Sequence, residues 1–271
     1  MRIVVCIKQV PGASKVDMDP VTRTMIRDAR RSVINPYDSP AVELAVRIKE
    51  TRQKEDTETT ETIALSMGIP GAGELLRDAV ARGLDRSVLI TDRAFAGADT
   101  LATSYTLSMA IRKLGGADLI LCGKMAIDGD TAQTGPELAE RLDLPHVTDV
   151  CAILSLTAES ITVRRHLAGG SQVMRVRLPA LLTVAKDAAA PHMPSIAGIR
   201  RAMTASHQIW HTTDLDADPA RIGLGGSPTQ VVRAFTPERR KTSVEITGEA
   251  GEQAAALTTV IRKISGGPAN G

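Results

Sequence analysis

The sequence predicts an α/β protein built on a doubly wound, mostly parallel sheet of Rossmann-like type, with an added short-strand section and an extended C-terminal arm. Three observations predict it: β-branched apolar runs without alternation, amphipathic segments alternating with them, and a change of pattern near residue 147. A parallel strand buried on both faces reads as a continuous apolar run. Regular alternation of such runs with helices implies right-handed crossovers and helices on both faces of one sheet.

Arg2 to Ile7 (RIVVCI) is the first such run and reads as a central strand. Ser39-Pro40 then offers a helix N-cap and a first-turn proline, and Val42, Leu44, Ala45 and Ile48 follow helical spacing. The polar stretch Thr51 to Thr62 reads as an exposed helix end and loop. The alternation continues with a strand from Thr62 to Met67, a helix from Gly71 to Arg82 and a strand from Ser87 to Thr91. A helix from Thr100 to Leu114, a strand from Asp118 to Cys122 and a helix from Gly135 to Leu142 follow. Ligands of such sheets bind outside the carboxyl ends of the strands, at the topological switch point, so the loops after Cys6, Met67, Thr91 and Cys122 share one rim.

From Val147 the pattern turns to short strands at Val150 to Leu156, Ser160 to His166, Val173 to Leu178 and Ala180 to Val184, a hairpin-like section closing one side of the sheet. Beyond Ala188, Pro191, Pro194, Pro219, Pro228 and Pro237 with scattered glycines leave too few regularly spaced apolar residues for a separate core, which suggests an extended arm. At its end Ala256, Leu257, Val260, Ile261 and Ile264 share a helical face that needs a surface to cover. The expected division is therefore a ligand-binding domain over 1–188 and an arm with a docking helix over 189–271.

Composition narrows the function. With 33 basic against 31 acidic residues and a net charge of +2, phosphate neutralisation cannot drive nucleic-acid binding, and two Phe, two Tyr and one Trp leave little for bases to stack on. Cys6, Cys122 and Cys151 are far apart, form no CxxC pair and leave an odd count, which speaks against a disulfide framework or zinc ribbon. No apolar run approaches the roughly 20 residues of a membrane span, and the N-terminus enters a strand pattern directly without a signal-peptide layout. The expectation is a cytoplasmic protein without a transmembrane segment.

Several motifs are decoys. Gly68, Gly71 and Gly73 lie between a strand and a helix, but a dinucleotide fingerprint needs its closely spaced glycine pair first, so they read as a strand-to-helix turn. Gly123-Lys124 follows a strand as in a P-loop, yet Met125 stands where Ser or Thr must ligate magnesium. His207 and His211 are one helical turn apart, but Gln208 occupies the place where a zinc protease needs Glu, so they read as surface histidines. No nucleophile in a recognisable catalytic context is visible, and no catalytic residue or metal ligand is expected.

The informative segment follows the strand ending at Cys122. Its glycines and small residues let backbone approach a ligand, while Thr131, Gln133 and Thr134 supply neutral donors at a helix start whose dipole favours phosphate. The plainer alternative is a capped helix preceded by Asp128 and Asp130 as turn residues.

This segment (LCGKMAIDGDTAQTG), the opening CIKQVPGASKVDMDPVTRTMIRD, SVINPYDSPAVELAVRIKE and the tail GLGGSPTQVVRAFTP together resemble the β subunit of electron-transfer flavoproteins, in the right order along nearly the whole chain. The resemblance implies an adenine-nucleotide-α-hydrolase-like variant of the doubly wound fold, a heterodimer with an α subunit, and an arm that embraces that subunit. It implies AMP in the β cleft in the respiratory branch, with the sole FAD on α, and a second FAD reduced by NADH in the electron-bifurcating branch. ITDRAFAGADTLATSYTLSMAI (Ile90 to Ile111) and AIDGDTAQTG resemble the bifurcating branch, which makes FAD the expected ligand and AMP the alternative.

Carried onto this chain, the resemblance places cofactor contacts at Cys6, at Asn35, Pro36, Tyr37 and Asp38, and at Met67. A further stretch comprises Gly123, Lys124, Met125, Ala126, Ile127 and Asp128, continuing through Gly129, Asp130, Thr131, Ala132, Gln133 and Thr134. Asp92, Phe95, Asp99, Thr100 and Thr103 are the expected flavin-side residues, although Phe95 and its neighbours also suit a plain cap on the sheet. Met193 is the expected contact for a redox partner of the acyl-CoA dehydrogenase type. Two departures stand out: Met125 replaces the family's usual Gln, and Leu167 to Gln172 lack the acidic residues usual there.

Overall fold

The computed structural model describes residues 1–12, 32–55, 59–229, 231–232 and 245–265. Most of the opening motif and the end of the tail motif, including Pro237, fall outside them. The chain forms two compact units, Met1–Val232 and Arg233–Gly271.

In the first unit, β1 (Arg2–Cys6) lies mid-sheet with β4 (Glu61–Met67) and β5 (Arg86–Ile90) on one side, all parallel. On its other side comes β6 (Leu119–Gly123), also parallel, with Cys6 opposite Cys122. The chain walks outward from β1 through α1 (Asp38–Lys54) and α2 (Gly73–Ala81), then returns across the sheet through α3 (Thr100–Lys113) to build β6. The strand order therefore reverses between β1 and β6, and the chain leaves their carboxyl ends toward opposite faces, to α1 on one and to the helix after β6 on the other, which is where such sheets form a crevice. The helix α4 (Thr134–Arg141) follows β6.

The continuous apolar runs explain the two-sided core. Along β1 successive side chains point to opposite faces. Ile3 and Val5 join Ala41, Ala45 and Leu76 from α1 and α2, whereas Val4 and Cys6 join Ile111 and Leu138 from α3 and α4. Burying each large aliphatic side chain stabilises the fold by about 1.5–3 kcal/mol.

The short-strand section is divided rather than a unit. β7 (His146–Leu156), β8 (Ser160–Leu167) and β9 (Gly170–Arg177) form an antiparallel meander at the edge, with β7 beginning four residues before the expected Val150. β10 (Ala180–Val184) instead inserts between β6 and β7, parallel to both. Its run ALLTV is buried at every position, which suits an interior parallel strand, while β8 and β9 expose Arg164, Arg175 and Arg177.

Five short elements have no counterpart in the sequence reading. β2 (Gln9–Pro11) and β3 (Ser32–Ile34) pair antiparallel beside the rim. After residue 189 the chain lays α5 (Ile196–Thr204) on α2, where Ala202 meets Val80 and Ala81, and then adds β11 (Gln208–Trp210) as a parallel edge strand beside β5. A one-turn helix, α6 (Thr212–Leu215), follows. The expected arm thus begins while the chain is still packed on the sheet. In the second unit, α7 (Ala250–Ser265) exposes Leu257, Val260, Ile261 and Ile264. Among the described residues, no helix is long and apolar enough to cross a membrane.

Candidate functional site

The crevice between β1 and β6 is built around one inward carboxylate. Ser39 does not cap α1; the helix starts one residue earlier, with no side-chain cap, and Asp38 turns into the protein, 5% exposed. One Asp38 oxygen accepts the backbone N–H of Lys8 at 2.7 Å. The other accepts Asn35 Nδ2 and the backbone N–H of Gly123, both at 3.0 Å. Asp38 therefore joins the segment after β1, the turn before α1 and the end of β6. Burial pushes its carboxyl up to about 7, against these three donors and the nearby Lys8 charge.

Gly123 is required by this junction, because a Cβ there would stand 2.2 Å from Asp38 Oδ1 and 2.8 Å from the Tyr37 carbonyl carbon. Asn35 extends the junction into the following loop: its Nδ2 also donates to the Met125 carbonyl at 2.8 Å, and its Oδ1 accepts from the Ile127 N–H at 3.3 Å. The loop is held at two more points. Lys8 Nζ reaches Asp128 at 2.6 Å, and Lys124 Nζ reaches Asp149 at 2.7 Å. Pro36 completes the half-buried turn between Asn35 and Tyr37.

Beyond Asp128 the character of the loop changes. The N–H groups of Gly129 and Asp130 fold back on the Ala126 carbonyl. Asp130 and Ala132 take left-handed backbone, φ 56° and 55°, which costs each non-glycine residue on the order of 1 kcal/mol and is characteristic of ligand clamps. Thr131, Ala132 and Gln133 are exposed, and nothing lies within 4 Å of a Cβ built on Gly129. Gln133, at the N-cap of α4, makes no side-chain cap, so the first-turn N–H groups of that helix are left for an external acceptor. Gly135 seats α4 against β10, since a Cβ there would meet Thr183 at 2.5 Å.

The second part of the rim is more self-contained. Asp99 caps α3, accepting from the Ala102 N–H at 3.0 Å, and also accepts from the Thr229 N–H at 3.1 Å. Thr100 Oγ1 bonds Gln133 at 3.2 Å and Glu137 at 3.1 Å, which brings the starts of α3 and α4 together; Thr103 N–H closes the first turn on Asp99. Asp92 is engaged by the Ala94 N–H and by Thr212, whose hydroxyl donates at 2.7 Å, and these bonds hold its carboxyl below the usual range. Phe95 is buried in the α3 and α4 side of the core, and Met67 packs half-buried on the same side. Cys6 and Cys122 lie beneath the crevice, where the neighbouring Cys6 thiol and burial push the Cys122 thiol up. Met193 stands elsewhere, 82% exposed, on the segment leading to α5.

Sequence reasoning missed Gln9. It is 4% exposed, and neither its amide nitrogen nor its amide oxygen has a hydrogen-bond partner, a costly state for a buried side chain. The available signal was a Gln set between the apolar Ile7 and Val10. The Gly68, Gly71 and Gly73 turn does lead into α2, with Gly73 packed against the His207 ring. Among the described residues, no group of His, Cys, Asp or Glu could hold a metal ion.

Taken together, the crevice offers a fixed floor, an open small-residue lip, neutral hydroxyl and amide donors and an uncapped helix start. That donor set fits a phosphate-bearing nucleotide. An electron transfer flavoprotein domain matches residues 22–215. The chain is 42% identical to the caffeyl-CoA reductase-Etf complex subunit CarD of Acetobacterium woodii, over 97% of this chain and 98% of that protein. It is 44% identical to the electron transfer flavoprotein subunit beta of Thermoanaerobacterium thermosaccharolyticum, over 93% and 94% of the two chains. It is also 44% identical to protein FixA of Azorhizobium caulinodans, over 89% and 86%. With its switch-point crevice and these relatives, the chain belongs to the electron transfer flavoprotein family, among the β subunits that pair with an α subunit.

Proposed function

We propose that this chain acts with its α subunit as a flavin-based electron carrier of the bifurcating type, holding a second FAD in the crevice between β1 and β6. The observation that carries this reading is the lip over residues 129–134: left-handed backbone, open space at Gly129 and an uncapped α4 start, a cradle suited to the pyrophosphate of a dinucleotide. Lys124 to Asp128 would hold the adenosine side through backbone fixed by Asn35, and the start of α3 would border the ring. The flavin, when bound, supplies the electron chemistry; the chain positions it and shapes its dielectric. NADH is the expected donor, and an acyl-CoA dehydrogenase type of protein the expected partner at Met193. The relative named for a complex with caffeyl-CoA reductase supports a partner that works on a coenzyme A thioester.

A structural AMP is the second reading, favoured by the burial of Phe95 and by the engagement of Asp92 and Asp99 with their own chain, which leave less for a flavin ring to meet. Counting FAD and AMP released on denaturing the co-expressed heterodimer, together with anaerobic NADH titration, separates them. Two FAD per heterodimer, one reducible by NADH, is the expected result. One FAD and one AMP, inert to NADH, overturns the bifurcating reading.

A further inference from the structure

The segment before Met193 is fastened more firmly than an exposed partner contact requires. Glu43 of α1, 6% exposed, accepts the His192 Nδ1 at 2.5 Å and the His192 backbone N–H at 3.1 Å on one carboxylate oxygen. Arg47 donates to the other oxygen at 2.6 Å and also reaches the Ala190 carbonyl at 3.3 Å. From α2, Arg82 donates to the His192 carbonyl at 3.2 Å while paired with Asp78. Burial alone would push the Glu43 carboxyl up, but the His192 and Arg47 donors outweigh it and hold the group below its usual range, as a carboxylate.

A second mount stands just downstream. Ser195 caps α5 by accepting from the Gly198 N–H at 3.0 Å. Gly198 lies so close to α2 that a Cβ would meet the Ala81 carbonyl oxygen at 2.1 Å, and Arg201 donates to the Val80 carbonyl at 3.0 Å. Between and beyond these mounts, Met193, Ile196 and Met203 are about four-fifths exposed, and α5 carries Arg200 and Arg201 with no acid. Three apolar or flexible side chains held out from a fixed backbone, beside two cations, fit a partner with an apolar pocket and an acidic border.

We propose that the Glu43–His192 contact is a clasp that presets residues 190–195, so that Met193 and Ile196 meet the partner dehydrogenase without first being ordered. His192 and Glu43 are positioning residues for docking. Ordering interface side chains and loops at the moment of binding weakens association, and the clasp removes that cost in advance. The inference rests on the reading of this surface as the dehydrogenase contact.

The test uses the full αβ heterodimer as electron acceptor for an acyl-CoA dehydrogenase reduced by its acyl-CoA, with a dye as terminal acceptor. His192→Ala should raise the KM for the heterodimer about tenfold while kcat stays within twofold. It should also speed amide exchange over residues 190–195. His192→Asn, whose side-chain amide can still donate to Glu43, should restore both. Met193→Glu is the companion variant. If it leaves KM unchanged, the docking reading fails and this proposal with it. If Met193→Glu raises KM but His192→Ala does not, the clasp alone is overturned, and docking survives.

Discussion

Replacing Gly123 by alanine tests whether the crevice floor is as tight as its geometry requires. The added methyl carbon would lie 2.2 Å from Asp38 Oδ1, 2.8 Å from the Tyr37 carbonyl carbon and 2.9 Å from Tyr37 Cβ. Two of these neighbours cannot swing away cheaply: Tyr37 contributes its backbone, and Asp38 is fixed by three N–H donors. Overpacking of this kind costs about 1–3 kcal/mol. Displacing Asp38 also breaks its bond to the Gly123 N–H, and a buried group deprived of a partner costs a further 1–3 kcal/mol or so. The expected loss is about 2–6 kcal/mol, which at the roughly 2–4 °C per kcal/mol of larger domains lowers Tm by roughly 4–24 °C. Differential scanning calorimetry of the heterodimer stripped of nucleotide, native against Gly123→Ala, reads it directly. A Tm within 2 °C of the native value would refute the account of Gly123 as the residue that lets Asp38 and Tyr37 close on β6.

Gly129→Leu makes the opposite contrast: its side chain enters open space, so stability should change by no more than about 0.5 kcal/mol while the adenine nucleotide proposed for the crevice should no longer co-purify with the heterodimer, and retained nucleotide would remove residue 129 from the crevice lip. Asp38 also predicts a pH dependence. Its carboxyl is pushed from the ordinary 3.8 to about 7, so the folded chain keeps this proton where the unfolded chain has released it, and its contribution to stability declines as pH rises from about 4 to about 7. Urea midpoints of the native heterodimer and of Asp38→Asn should therefore draw together across that window, by on the order of a few kcal/mol, and a constant gap would refute the burial argument.

Much of this architecture is legible because parallel strands buried on both faces leave an unmistakable mark. RIVVC and LILCG have no alternation, and the structure places them as neighbours at the switch point. Asp99 is legible as a cap because its chemistry is local to the helix it precedes. Pairing across long separations is not. ALLTV reads as a strand, but its place between β6 and β7 depends on partners 61 residues earlier, as Ala180 opposite Leu119 shows. β2, β3 and β11 have three residues each, too short for any period to register. Ser39-Pro40 suggests a cap at Ser39 on local grounds, whereas the inward turn of Asp38 is decided by N–H groups 30 and 85 residues away. Glu43 and His192, 149 residues apart, leave no sequence signal at all.

The distribution of polar contacts around the crevice bears on what this subunit contributes to electron transfer. Two of its buried polar groups, Asp38 and Asn35, are bonded to backbone N–H and carbonyl groups of three separate segments, and the charges of Lys8 and Lys124 are matched by Asp128 and Asp149. None of these contacts is arranged as a donor and base around a vacant reacting atom, the pattern that acid–base catalysis needs. They fix the floor, while residues 129–133 stay exposed above it. A fixed floor beneath an open lip sets where a cofactor lies and leaves one side of it accessible. Electron transfer requires that placement and access from the protein, whereas the redox step itself belongs to the cofactor.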